Sequence, residues 1–181
     1  RMDTTRGKSV KEWVNQASVS EIDEVLYKFG EERFHKKIAE QIVKSRVVKP
    51  IDTTTDLVKI IEQCVIYKEK GRHCATRSFQ AMRIFINNEL SDLETILDDI
   101  TKLLKVNGRV VIISFHSLED RIVKNYFNLL SKPKPTPKWI MVDNESANYQ
   151  IIAKKIKADL QELNQNVRSR SAIMRSLERL K

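Results

Sequence analysis

Apolar positions recur at the three-and-four spacing of amphipathic helices through the first half of the chain, and the period then changes to a continuous β-branched run. Ser9-Val10-Lys11-Glu12 has the residue types of a capping box, and Trp13, Val14 and Ala17 supply the apolar face behind it, so a helix is predicted over about 9–17. Ser20 is placed as the cap of a second helix with Ile22, Val25, Leu26 and Phe29 on one face, and Gly30 as its left-handed C-cap. Phe34, Ile38, Ile42 and Val43 mark a third helix from Glu31 to about Lys44, stopped by Pro50. Asp52 to Thr55 offer caps for a fourth, carrying Leu57, Ile60, Ile61, Cys64 and Val65. The opening segment therefore reads as a small helical unit.

From Ala75 the helical pattern resumes through Phe79, Met82, Ile86 and Leu90, and Ser91-Asp92-Leu93-Glu94 is a second box that restarts it, with Leu93, Leu97, Ile100 and Leu104 on the next face. Asn107-Gly108 is a turn. Val110-Val111-Ile112-Ile113 is then a run of the sort buried on both sides of a parallel sheet. A helix follows from Ser117, with Asp120 as its acidic N3 residue and Leu118, Ile122, Val123, Tyr126 and Phe127 as its apolar positions. Helix, buried strand, helix is one step of a doubly wound α/β fold. Pro133, Pro135 and Pro137 read as an extended surface loop. Beyond it Tyr149 to Ile156 and Ser171 to Leu180 read as strands flanking a short helix over 158–163, although Ile173, Leu177 and Leu180 also fit a helix.

Composition narrows the class. Over 181 residues, 41% hydrophobic and 31% charged positions fit a helix-rich globular chain, not a disordered tail. No stretch approaches the roughly 20 apolar residues of a membrane span, and no signal sequence follows the N-terminus, so a cytoplasmic location is the default. A net charge of +9 favours a polyanionic partner. Cys64 and Cys74 lack the spacing of a disulfide framework or a zinc site. His35, among charged neighbours, has no second ligand at metal spacing, so no metal site is expected. The chain opens Arg1-Met2-Asp3, without an initiator methionine or a capped first element, and reads as part of a longer protein.

The run Ile113-Ser114-Phe115-His116-Ser117-Leu118-Glu119-Asp120-Arg121 is the most informative, because a buried strand there emits polar residues at its carboxyl end. Open α/β sheets bind ligands at that edge, which makes His116, Ser117 and Asp120 the candidate active-site side chains. The plainer reading is that Ser117 and Asp120 only cap the helix. A second cluster holds Arg77, Arg83 and Asn87, with Arg83 and Asn87 on one helical face; a third is Arg168-Ser169-Arg170-Ser171 with Arg175. Guanidinium forks suit phosphate, yet exposed arginines also serve only to keep a face hydrated. Trp13 and Trp139 have the ring surface to stack on bases, with Trp13 better placed for the core. The four glycines, Gly7, Gly30, Gly71 and Gly108, form no Gly-rich strand-to-helix turn, so a P-loop and a dinucleotide fingerprint are both missing.

Five segments in order resemble the ribosomal RNA small subunit methyltransferase H family, also called MraW. They are Arg1-Met2-Asp3 with Arg6-Gly7; Phe29-Gly30-Glu31-Glu32-Arg33-Phe34; Ala75 to Ile84 with Asn87 and Glu89-Leu90; Ser114 to Arg121; and Arg168 to Ala172 with Arg175. The resemblance implies S-adenosylmethionine-dependent N4-methylation of a cytosine in the decoding region of 16S rRNA by the intact protein. It implies a partial class I, Rossmann-like α/β sheet with an inserted all-helical substrate-recognition domain. On that template residues 1–74 are the insertion and 75–181 the C-terminal half of the catalytic domain, with Val110 to Phe115 as its fifth strand. The family's Gly-Gly-His cofactor turn, its ribose-binding acid, and the Asp and Gln near the methyl donor all fall before Arg1, so no cofactor-binding residue is assigned within the chain. Cys74 and Val167 stand where the family usually has Pro.

A cytosine amine is a poor nucleophile, so such an enzyme must align it with the sulfonium methyl group and accept hydrogen bonds from it as it loses planarity. On the resemblance His116, Ser117 and Asp120 are expected to help shape the base pocket, and Arg77, Arg83, Asn87, Arg121, Arg168 and Arg170 to engage RNA or brace the fold. The implied partner is 16S rRNA in the small ribosomal subunit, without a membrane; a homodimer stays open. The competing readings are a non-catalytic RNA- or ribosome-binding fragment and a structural helical protein.

Overall fold

A computed structural model describes residues 7–67, 71, 73–133 and 147–181. The proline-rich loop beyond Pro133, Trp139 and the Arg1-Met2-Asp3 and Arg6 positions lie outside the described residues. The elements run α1 (Val10–Gln16), α2 (Val19–Gly30), α3 (His35–Val48), α4 (Thr54–Cys64), α5 (Thr76–Asn87), α6 (Glu89–Leu103), β1 (Arg109–Ser114), α7 (Ser117–Leu130), β2 (Tyr149–Lys157), α8 (Leu160–Gln165), a 3-10 turn (Val167–Ser171) and β3 (Ile173–Arg179). They group into two compact units, Arg1–Glu89 and Leu90–Lys181.

The first unit is helical, and its helices start where side chains satisfy their free amides. Ser9 with Glu12 caps α1 as the sequence predicts, and Thr53 with Asp56 caps α4. The box that starts α2 is Ser18 with Glu21, not Ser20. Each such cap stabilises its helix by about 1 kcal/mol. Ile22, Leu26, Ile38, Ile42, Ile61 and Met82 are wholly buried in the common core. Trp13 is also buried, its ring centroid 5.1 Å from that of Phe85, so it belongs to packing and not to base stacking.

Gly30 has a different use from the predicted C-cap. The left-handed position is Glu31, at φ 48°, while Gly30 is the last helical residue of α2. A Cβ on Gly30 would lie 2.8 Å from the Arg77 carbonyl oxygen and 3.1 Å from Ala81 Cβ, so the missing side chain is what lets α2 and α5 approach. The expected restart at Ser91 is not present either. Asn88, at φ 54°, ends α5, and α6 then runs unbroken through Ser91, whose carbonyl accepts the Thr95 hydroxyl at 3.0 Å inside the helix.

In the second unit three strands form a sheet in the order β1-β3-β2, with both neighbours antiparallel to β3. Asn107, at φ 64°, makes the turn into β1. Register pairs Val110 with Leu177 and Ile112 with Arg175. Leu97 of α6, Val123 and Phe127 of α7, Val110 and Leu177 form the buried centre. The ambiguous last segment is thus the middle strand, and its Leu177 is fully buried. Burial of β1 on both sides is not found in this chain: Val110 is 3% exposed, but Val111 is 53% and Ile113 55% exposed. The α-helices cover one side of the sheet and nothing among the described residues covers the other at these two positions. The architecture is mixed α/β.

Candidate functional site

The carboxyl end of β1 delivers Ser114, Phe115 and His116 directly into the first turn of α7. His116, not Ser117, is the N-cap, and Glu119, not Asp120, is the N3 acid. Nδ1 of His116 accepts the Glu119 amide at 3.4 Å, while Glu119 Oε2 accepts the Phe115 and His116 amides at 2.9 and 3.3 Å. An Nδ1 that accepts places the ring proton of a neutral imidazole on Nε2. Nε2 lies 3.2 Å from Glu119 Oε1, within ion-pair distance, but the angle is wrong for a hydrogen bond, and this buried atom has no other partner. Burial pushes the Glu119 carboxyl up, yet the close His116 ring and the hydrogen bonds from the Phe115 and His116 amides outweigh it and hold the group below its ordinary value. Ser117 is the first residue of the helix and exposed, and among the described residues its hydroxyl makes no hydrogen bond.

Asp120 faces Arg175 of β3. The guanidinium binds both carboxylate oxygens, Nε to Oδ1 at 2.7 Å and Nη2 to Oδ2 at 2.9 Å, and its Nη1 donates to the Lys154 carbonyl. The side chains are only 9% and 15% exposed. This two-point geometry is the strong form of an ion pair, and Arg175 accordingly holds Asp120 well below the usual carboxylate range. Asp120 therefore fastens α7 to the sheet rather than capping the helix. Arg121, next along, is exposed.

Arg168 and Arg170 are exposed on the 3-10 turn that precedes β3, and among the described residues their side chains make no hydrogen bond. Between them Ser169 is buried and donates to the Asn166 carbonyl at 2.7 Å. These residues, His116, Ser117 and Asp120 all belong to the second unit.

The Arg77, Arg83 and Asn87 cluster belongs to the first unit and is engaged in internal bonds. Arg77 Nη1 donates to the Glu31 carbonyl at 2.7 Å, across the α2–α5 contact that Gly30 permits. Arg83 grips both oxygens of Glu89 at 2.9–3.2 Å, and Asn87 bonds the Arg83 carbonyl and Glu89. The exposed Arg83 pair is worth at most about 1 kcal/mol.

Sequence reasoning passed over two other groupings. His35 is not a plain surface residue: its Nδ1 contacts Asp23 Oδ1, and its ring lies 5.0 Å from that of Tyr27. Glu62, His73 and Cys74 bring one ligand atom each within 4.8 Å. His73 Nδ1, however, accepts the Ala75 amide at 3.2 Å, so the proton sits on Nε2, the atom facing Glu62 at 3.8 Å, and neutral His73 has no free lone pair for a metal. Cys64 is buried, and burial raises its thiol pKa, which makes it inert.

The chain is mixed α/β, with a polar constellation at the carboxyl end of β1, and the sequence comparison is specific. The chain belongs to the MraW methylase family, which it matches over residues 1–180. Among curated relatives it is 47% identical to the ribosomal RNA small subunit methyltransferase H of an Azoarcus species, over 99% of this chain and 58% of the relative. The proteins of the same name from Chromobacterium violaceum and Neisseria meningitidis serogroup B are 46% and 44% identical, over 99% of this chain and 57% and 56% of their own lengths. The chain thus spans little more than half of the relatives it matches.

Proposed function

We propose that this chain is the RNA-side portion of an enzyme that uses S-adenosylmethionine to methylate N4 of a cytosine in the decoding region of 16S rRNA. The observation that carries the reading is the family match along the whole chain, joined to a polar constellation at the carboxyl end of β1. At the β1–α7 turn Glu119 takes the Phe115 and His116 amides and the His116 ring takes the Glu119 amide, which supports a use for that turn other than cradling the cofactor. The cofactor is therefore assigned to the part of the longer enzyme outside this chain, and this chain supplies the substrate side. In this reading residues 1–74 are the inserted RNA-recognition domain and 75–181 belong to the catalytic domain. β1 is then an interior strand of a wider Rossmann-like sheet, which accounts for its apolar but exposed Val111 and Ile113.

The exposed Ser117 hydroxyl, without a hydrogen bond among the described residues, is a donor and acceptor that suits the edge of a pyrimidine, and the buried His116 ring beside it shapes that turn. Asp120 acts through Arg175, as a positioning residue. Arg121, Arg168 and Arg170 are assigned to RNA phosphates, whereas Arg77, Arg83 and Asn87 brace the helical unit and reach RNA at its surface. No helix among the described residues is long and apolar enough to cross a membrane, and a cytoplasmic enzyme acting on small ribosomal subunits is the consistent setting.

The test is methyl transfer from labelled S-adenosylmethionine to small subunits by the complete enzyme, with the product nucleoside identified after digestion. Label in N4-methylcytidine supports the reading; label elsewhere, or none, overturns it. Calorimetric titration of the 181-residue chain with S-adenosylmethionine should give no heat of binding, and tight binding would refute the assignment of the cofactor to the rest of the enzyme.

A further inference from the structure

An open groove of about 440 Å³ lies in the helical unit between the last turn of α3 and the start of α4. Lys44, Lys49 and Lys59 line it, with Val48 and Pro50 on its rim and Ile60 below. All three lysines are exposed, and among the described residues none forms a hydrogen bond or an ion pair. They differ in this from Lys11, paired with Asp52, from Lys28 with Glu24 and Arg83 with Glu89, and from Arg46 and Arg77, which donate to backbone carbonyls; Arg33, Lys36 and Lys37 share their exposure and lack of partners among the described residues but do not line this groove. Val48 is 89% exposed and Pro50 is exposed, so the groove carries an apolar rim open to solvent.

We propose that this groove binds a single-stranded segment of the substrate RNA, the three lysines taking phosphates and the Val48–Pro50 rim carrying a base. This rests on the reading of the chain as an RNA methyltransferase, and adds a contact site away from the β1–α7 constellation. The arrangement is the one that single-stranded nucleic acid selects: a cationic track for the backbone beside an apolar platform for a base. Asp56, the one acid lining the groove, does not cancel the lysines as an ion pair would, because its carboxylate accepts the Thr53 hydroxyl at 2.7 Å and the Thr53 amide at 3.2 Å. That hydroxyl above all, with the fields of Lys49 and Lys59, keeps the Asp56 carboxyl below its ordinary pKa. Phosphate suits the site better than a carboxylate ligand, since three separated ammonium groups match successive charges along a backbone.

The experiment compares the chain with its K44Q/K49Q/K59Q variant, and with a K11Q/K28Q/K102Q control that removes the same charge from lysines held in exposed ion pairs. The probe is a fluorescent single-stranded RNA of about 12 nucleotides, followed by anisotropy over a range of salt. Single strands release about 0.7 counterion per phosphate neutralised, so the groove variant should lose about 2 from the log–log salt slope. If the two lines converge near 1 M salt, that difference is on the order of a hundredfold in affinity at about 0.1 M. The control should keep the wild-type slope. Should the triple variant lose its helical circular dichroism, K59Q alone must lower the slope by about 0.7. An unchanged slope in the groove variant overturns the proposal, as does an equal loss in the control. Anionic phospholipid vesicles bound as tightly as RNA, with the same loss in the groove variant, would make the site a membrane contact and overturn it too. A wild-type chain that binds RNA with full slope in both variants leaves the methyltransferase reading standing and removes only the groove.

Discussion

Replacing Asp120 with alanine would strand Arg175. The guanidinium is 9% exposed and makes three hydrogen bonds, two of them to Asp120, so the variant keeps only the one to the Lys154 carbonyl. Removing one member of a buried pair costs about 3–5 kcal/mol, because the remaining charge is left desolvated without compensation. Asp120 retains 15% exposure, which lets water reach the vacated space and argues for the lower end, about 3 kcal/mol. With a urea dependence of about 1–2 kcal/mol per molar for a unit of this size, the midpoint of unfolding should fall by about 2 M. Native-state hydrogen exchange at the β3 amides, around Ser176 and Leu177, reads the loss locally. D120A combined with R175M, which removes both charges and keeps an apolar stem, should recover a good part of it. A D120A variant within about 1 kcal/mol of the parent, or a double variant no better than the single, would show that the pair does not hold α7 to the sheet.

Acid should have a related effect. Asp120 and Glu119 both have folded-state pKa values below their unfolded ones, so their contribution is complete above the ordinary carboxylate range and is lost as pH falls through the lowered values. E119Q should flatten the acid limb of a stability–pH profile, and an unchanged limb would contradict the hydrogen-bonding assigned to Glu119. G30A places a methyl group 2.8 Å from the Arg77 carbonyl oxygen, and forcing α2 from α5 should cost about 1–3 kcal/mol in thermal or urea unfolding; a neutral result would mean the helices do not meet there. V110A should destabilise the chain by about 2 kcal/mol, whereas V111S should change it by under about 0.5. In the complete enzyme V111S should become as costly as V110A if β1 is an interior strand, and equal tolerance there would refute that placement.

Helix positions were readable from spacing, but the starts of α2 and α7 show what spacing leaves open. Ser18 and Ser20 are each followed three residues later by an acid, Glu21 and Asp23, so two boxes compete. His35 takes Asp23 and leaves Ser18 with Glu21 to start the helix. The same contest recurs at α7, where His116 with Glu119 and Ser117 with Asp120 are one residue apart. By residue type serine is the better cap, yet Arg175, 55 residues further on, takes Asp120 and shifts the helix start by one. Local chemistry supplied both candidates; a contact distant in sequence decided between them. Gly30 follows the same logic, its role set by Arg77 and Ala81 of another helix and not by the turn beside it. The apolar run of β1 misled for a different reason, since β-branched spacing cannot say what lies on each face, and Val111 and Ile113 are exposed among the described residues.

That one-residue shift bears on chemistry. With Ser117 as cap, its hydroxyl would be spent on the helix amides and Asp120 would accept them in return, leaving His116 as the only free polar group. The observed start reverses this. His116 spends Nδ1 on the helix and by doing so fixes its proton on Nε2, Asp120 is spent on the sheet, and Ser117 turns out unbonded. The His116 ring and Asp120 are thus held by bonds to the scaffold, while the Ser117 hydroxyl stays exposed beside them, the division that the proposed recognition of a base edge would use. Charge is divided in the same way. Arg175 and Arg83 are held by carboxylates, Arg77 by a backbone carbonyl, and each keeps its element in place. Lys44, Lys49 and Lys59 have no such ties, and an unpaired ammonium on a flexible stem loses little by exchanging water for phosphate. On the proposed roles, affinity that comes from the lysines should fall with salt, and base discrimination at the β1–α7 turn should not.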